Sequence, residues 1–315
     1  MPRQLRIEFE NATYHILNRG DRREDIFWND GDRQLFLDTL VEACAKTHWQ
    51  IHAYCLMRNH FHLIIETPQP NLVAGMRWFL STYTARFNRR HNLFGHLFSG
   101  RYKSLLVDAD HGDYFRIVCN YVHLNPARAG ILRLNQPLRD YRWSSFPHYL
   151  KRPNQRPKWL HTDRLFSNMD ILKDTPAARA NFEQATEKYR HTEPSDTYSS
   201  IRRGWYYGLK QFRDQVLQRL AKPVTSSHHA SERHETDLQR AERIISKELA
   251  KISWQETELA HHRKGDPHKI KIAQCLRAQT PLSLSWIATR LGIGTRNHLA
   301  FLLYRYQQGN KKSVQ

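Results

Sequence analysis

The order of strand-like and helical runs predicts an α+β domain built on a ferredoxin-like antiparallel sheet with helices, followed by an all-α C-terminal domain. Three observations lead there. Over residues 1–150 the runs follow one another as β-α-β-β-α-β-α with short connections, which suits an antiparallel sheet with helices on one face. Between residues 238 and 306 apolar residues recur at helical spacing without strand-like alternation. Between these regions, residues 223–236 are polar and read as a flexible linker. A chain of 315 residues is long enough for two domains. The expected division is 1–150 for the sheet domain, 151–222 for an extension that wraps it, 223–236 for the linker and 237–315 for the helical domain.

Taken in order, residues 13–19 read as a strand that stops at Gly20. Residues 32–49 carry Phe36, Leu40 and Ala43 at helical spacing. Residues 50–57 and 60–67 are two strand-like runs joined at Arg58-Asn59, the pattern of a hairpin. Pro68 and Pro70 close that unit. Residues 71–91 form a second helix with Leu72, Met76, Phe79 and Leu80 as its apolar positions. Residues 101–107 give a fourth strand, and residues 113–124 a third helix that ends at Asn125-Pro126.

Composition narrows the function classes. The formal net charge is +19, which points to a polyanionic partner, nucleic acid above all. The charge is uneven: residues 1–150 hold 19 basic and 14 acidic side chains, a net of +5, so the remainder carries +14. No run approaches the ~20 apolar residues of a membrane helix, and the N-terminus lacks the apolar core of a signal peptide. The four cysteines, Cys44, Cys55, Cys119 and Cys275, form no CxxC pair. A cytoplasmic protein without a membrane partner is expected, as a monomer or a homodimer.

The chemistry is concentrated in two places. His60-Phe61-His62 sits in a strand-like run, so both imidazoles share a face with Ile64, with Cα atoms roughly 6.6 Å apart. Phe61, Leu63 and Ile65 point the other way and can pack under the helices, which leaves the histidines on the open face of the sheet. Two such imidazoles can reach one metal ion. Taken alone, so short a pattern favours ordinary surface residues. On the third helix, Tyr121 and Asn125 are four residues apart and share a face, about 6 Å apart along the axis. They can present a nucleophile and a polar ligand together. Alone, these two residues favour a tyrosine packed in the core and an Asn125 that caps the helix. Tyr114, seven residues earlier, is a rival nucleophile.

Together, Met57-Arg58-Asn59-His60-Phe61-His62-Leu63-Ile64 and Tyr121-Val122-His123-Leu124-Asn125-Pro126-Ala127-Arg128-Ala129-Gly130 resemble the two signature segments of HUH single-tyrosine transposases, closest to the REP-associated branch. Tyr14-His15-Ile16-Leu17-Asn18-Arg19-Gly20 and Phe98-Ser99-Gly100-Arg101-Tyr102-Lys103-Ser104 resemble that family's first and last strands. The likeness covers about residues 1–150 and implies the HUH nuclease fold. It further implies that Tyr121 is the catalytic nucleophile, that His60, His62 and Asn125 ligate Mg²⁺ or Mn²⁺, and that the substrate is single-stranded DNA. Attack would give a 5′-phosphotyrosine and a free 3′-hydroxyl, so that joining needs no ATP. For the branch, the implied substrate carries the imperfect hairpins of repeated extragenic palindromes. Arg19, Arg22, Arg23, Arg58, Arg101 and Lys103 lie at strand ends near the proposed site and can hold phosphates.

The C-terminal region carries a further pattern. Residues 284–299 read as a helix-turn-helix. Ser283 or Ser285 caps its first helix, Gly292 and Gly294 permit a sharp turn, and Thr295 caps a second helix. Arg296, Asn297 and His298 would then meet a major groove, so duplex DNA is a possible second partner. Earlier, Arg202-Arg203-Gly204-Trp205-Tyr206-Tyr207 mixes cations with aromatics, suited either to stacking on bases or to packing. Three other readings compete: an inactive DNA-binding regulator derived from a transposase, an HUH replication-type nickase, and an RNA-binding sheet. The tyrosine following the histidines disfavours relaxases. The absence of a P-loop disfavours a large replication initiator, and the absence of RNP aromatics disfavours the last reading.

Overall fold

The computed structural model describes residues 6–192, 198, 200–201, 204–221 and 237–312. The expected linker at 223–236 and the pair Arg202-Arg203 lie outside the described residues. The chain divides into two units. The first comprises residues 1–44, 48–70 and 80–227, and the second comprises residues 45–47, 71–79 and 228–315.

The first unit is organised by a sheet of order β2-β3-β1-β4-β5. Its strands are β1 (Ala12–Arg19), β2 (Gln50–Met57), β3 (His60–Thr67), β4 (Lys103–Val107) and β5 (Tyr206–Tyr207). The first four pair antiparallel, with β1 and β3 in the centre, as the alternation of runs predicted. The fifth strand was not foreseen. It pairs parallel to β4 along only two residues, too short to leave a periodic signal.

Helix α1 (Asp30–Thr47) starts in a capping box: Asn29 accepts from the Asp32 amide, and Asp32 accepts from the Asn29 amide, each at 3.2 Å. It packs on the sheet face that carries Phe61, Leu63 and Ile65. The Phe36 ring lies 4.9 Å from Phe61 and 5.0 Å from Tyr83 of helix α2 (Leu72–His91). All of these side chains are fully buried. Burial of each aliphatic or aromatic side chain contributes about 1.5–3 kcal/mol.

The opposite face differs from the expectation of an open surface. Helix α3 (Tyr114–His123) covers it, burying Phe115, Val118 and Val122 against Ala53, Cys55, Ile64, Leu105 and Val107. The sheet is therefore covered on both faces. The reason is visible in the register: Ala53, Cys55, Ile64, Leu105 and Val107 form an apolar patch on this face that must be sheltered from water. Leu165, Phe166, Phe182, Tyr198 and Ile201 join the same core, so residues that follow position 150 complete the cover. Asn125-Pro126 does end α3, but the chain turns at once into α4 (Asn125–Arg128), with the proline in the first turn where its missing N–H costs nothing.

The second unit is helical between residues 237 and 312. Its helices Asp237–Lys251, Pro267–Gln279, Leu284–Arg290 and Arg296–Lys312 bury Ile244, Ile270, Leu276, Ile287, Leu299 and Leu303. Ser283 caps Leu284–Arg290 by accepting from the Trp286 amide at 3.2 Å. Gly292 and Gly294 take φ of +60° and +102°, which favours glycine, and the Thr295 hydroxyl accepts from the His298 amide at 3.2 Å. Among the described residues, no helix is long and apolar enough to cross a membrane.

Candidate active site

The strands place the histidines by register. Arg19 lies opposite His60 and Leu17 opposite His62, so the odd-numbered positions of β1 share the histidine face. That brings a third imidazole, His15, into the group. Its Nε2 is 2.9 Å from Nδ1 of His62, and the two rings meet edge to edge, 15° from parallel, with centroids 5.2 Å apart. His60 and His62 have centroids 5.1 Å apart. At the hairpin, Nδ1 of His60 meets Oδ1 of Asn59 at 2.8 Å, while Nδ2 of Asn59 donates to the Arg23 carbonyl at 3.0 Å.

Helix α3 delivers Tyr121 to this group. Its ring is 5.6 Å from His62 and 5.5 Å from His15, edge-on to both. Tyr121 is 8% exposed and lines the cleft, so it is sheltered without being sealed in. One turn on, Asn125 donates from Nδ2 to the Tyr121 carbonyl at 2.7 Å, which leaves the amide oxygen as the atom able to ligate a cation. Arg128 donates to the same carbonyl at 2.9 Å, and its guanidinium carbon lies 4.6 Å from the centre of the Tyr121 ring and 4.3 Å from that of Tyr198. The tyrosine is thus held from several sides. Tyr114 does not line this cleft: it packs edge-on against Tyr207 at 5.0 Å.

His15, His60, His62, Tyr121 and Asn125 line a cavity of about 600 Å³, together with Arg19, Arg22, Arg23, Arg101 and Lys103. Five of the six cations expected near the site are therefore present. Arg58 is not among them. It is exposed and pairs with Asp25 at 3.1 Å. Arg22 and Arg23 both take positive φ, +49° and +64°, a conformation that costs non-glycine residues energy and is found where surrounding structure enforces it. Arg296 and Asn297 belong to the second unit and are exposed at the start of Arg296–Lys312. His298 is half-buried, and its Nδ1 bonds the Ile293 carbonyl at 3.0 Å, so that nitrogen is committed to the turn.

Burial sets the protonation of the imidazoles. It pushes His15 down to about 3. His60 is pushed to about 4 by burial and then by the Arg19 charge. His62, 2% exposed, is held well below the ordinary range by burial, by the neighbouring imidazoles and by Arg128 and Arg19. All three are neutral at pH 7, the state in which an imidazole nitrogen can ligate a metal.

The residues fit a divalent cation. Two neutral imidazoles and an amide oxygen supply three neutral donors, and phosphate oxygens and water can complete the sphere. Among the described residues, no group of three or more His, Cys, Asp or Glu side chains is arranged to cage a metal.

Sequence reasoning missed His15, Asn59, Arg128 and Tyr198. His15, Asn59 and Arg128 stand within the motif segments quoted above, and His15 also had a signal in the two-residue alternation of β1. Even that needed the pairing of β1 with β3 to become a contact.

Residues 8–125 match the family model described as IS200-like transposase. The chain is also similar to a solved structure of a REP-associated tyrosine transposase bound to a REP hairpin. The identity is 14% and the TM-score 0.41, and the likeness covers 56% of this chain and 96% of that one. No curated protein matches.

Proposed function

We propose, from the match of residues 8–125 to the family model described as IS200-like transposase, that the chain acts as a transposase of that kind and cuts and rejoins single-stranded DNA with Tyr121 as the nucleophile. The observation that carries the reading is the phenol of Tyr121 set 5.6 Å from His62 inside a cleft rimmed by Arg19, Arg22, Arg23, Arg101 and Lys103. A phosphodiester drawn into that cleft meets cations that fix its backbone and offset its charge.

The step balances simply. The phenol oxygen forms a bond to phosphorus, and the bond from phosphorus to the 3′ oxygen breaks. The phenol loses a proton and the departing 3′ oxygen takes one up. One phosphoester replaces another, so a later 3′-hydroxyl can reverse the reaction without ATP. Arg128, over the face of the ring, favours the negative charge that develops on the phenol oxygen. Burial between Arg128, Tyr198 and the imidazoles restricts the ring before attack. Held by His60, His62 and Asn125, Mg²⁺ or Mn²⁺ would neutralise phosphate charge and polarise phosphorus.

The motif residues quoted above resemble those of the REP-associated branch, which supports a hairpin-bearing strand as the proposed substrate. In the second unit, the turn at Gly292–Gly294 and the exposed pair Arg296 and Asn297 support a duplex contact at the start of Arg296–Lys312. Tyr121→Phe tests the main reading: covalent attachment to a hairpin oligonucleotide should vanish while non-covalent binding persists. An adduct that survives this change and is lost in Tyr114→Phe would move the nucleophile. For the second unit, Arg296→Ala should weaken duplex binding and reduce the salt slope by about 1.

A further inference from the structure

We propose that His15 and Asn59 are positioning residues that set the tautomers of His62 and His60, so that each presents an Nε2 lone pair to the cleft. The inference rests on the metal-assisted reading above and deepens it.

A neutral imidazole has one N–H and one lone pair, and the bond made by one nitrogen decides what the other can do. For His60 the assignment follows from the contacts. The Asn59 amide nitrogen donates to the Arg23 carbonyl, so the group facing His60 is the amide oxygen, which can only accept. His60 must then carry its proton on Nδ1, and Nε2 is the lone-pair nitrogen.

For His62 two arrangements fit the 2.9 Å contact with His15. Either His62 donates from Nδ1 to Nε2 of His15, or the donation runs the other way. The first leaves a lone pair on Nε2 of His62. The second leaves an N–H there and removes the ligand. Only the first gives the cleft two imidazole lone pairs beside Tyr121. His15 is buried and its ring lies nearly in the plane of His62, so the contact also fixes the orientation of that ring. A ligating histidine whose other nitrogen is held in this way has its orientation and basicity set by the partner, and loss of such a partner costs 10–100-fold in metal affinity or activity.

Direct Mn²⁺ binding by the full chain without DNA, followed by electron paramagnetic resonance, tests the idea. His15→Phe keeps an aromatic ring beside His62 but cannot accept a hydrogen bond, and it should weaken Mn²⁺ binding by about 10–100-fold. His15→Gln offers an amide oxygen to Nδ1 of His62 and should restore much of the affinity. In parallel, Asn59→Leu should weaken binding and Asn59→Asp should retain it. His15→Phe binding as tightly as the unaltered chain, in a background where His60→Ala abolishes binding, would overturn the proposal and leave the proposed function standing.

A second measurement needs neither variant nor metal. Long-range ¹H–¹⁵N spectra of the histidine-labelled chain should show His62, identified by the signal lost in His62→Gln, protonated on Nδ1 and not on Nε2. The reverse tautomer would overturn the inference even if His15→Phe lost affinity. Should the unaltered chain bind no Mn²⁺, the metal reading fails, and this spectrum still decides the tautomer.

Discussion

The two faces of the central sheet use the same strands for different ends. On one, Phe61, Leu63 and Ile65 meet Phe36 and Tyr83, and the contact is wholly apolar. On the other, His60 and His62 alternate with those residues and lie among Ala53, Cys55 and Ile64, where three imidazoles, a phenol and a guanidinium share the space. The first face can only stabilise. The second combines apolar cover with polar groups whose protonation and orientation are fixed by burial. A period of two residues is enough to separate the roles.

The contrast predicts different responses to substitution. The largest effect belongs to the histidine face. Tyr121→Phe should lower hairpin cleavage by at least about 10⁴-fold, as loss of a nucleophile does, with an unchanged denaturant midpoint. A stability loss of comparable weight would mean that Tyr121 is a core residue like Phe61. Phe61→Ala should show the opposite profile, costing about 3–5 kcal/mol of stability in chemical denaturation. Activity per folded molecule should fall far less than in Tyr121→Phe. Equal losses of activity in the two variants would erase the distinction between the faces.

A subtler effect concerns pH. His15 and His60 titrate near 3 and 4 in the folded chain, below the ordinary histidine value near 6.5. Between those limits the unfolded chain binds more protons than the folded one, so stability falls as pH drops from about 6.5 toward 4. The loss should be smaller in His15→Gln, as read from unfolding midpoints at pH 7 and pH 5. An identical slope in both chains would show that these imidazoles are not buried as described. The smallest effect is expected for Arg128→Met. A cation over an aromatic ring contributes about 0.5–2 kcal/mol, so single-turnover cleavage should slow by roughly tenfold with substrate affinity little changed. A change confined to affinity would assign Arg128 to DNA binding instead.

Local pattern carried much of this architecture. The strands around His60 and His62 and the helix around Tyr121 are defined by alternation and by four-residue spacing, which neighbours in sequence determine. What stayed hidden depends on distant pairing. His15 reaches His62 through the register of β1 against β3, and Tyr198 reaches Tyr121 from beyond the family-matched residues. The cover over the histidine face was misjudged for the same reason. Leu165 and Phe166 lie in a five-residue helix that leaves little periodicity, Phe182 lies in a 17-residue helix that is otherwise mostly polar, and only the folded chain shows what they pack on. Arg58, placed by proximity to the histidines in sequence, is drawn off by Asp25.

The most direct test is identification of the covalently modified residue. The full chain is incubated with a hairpin-bearing single strand and Mn²⁺ and then digested, and the peptide bearing the DNA 5′-phosphate is sequenced by mass spectrometry. The account predicts the modification on Tyr121, absent when metal is chelated. A phosphotyrosine at Tyr114, or cleavage with no protein-linked strand, would contradict it.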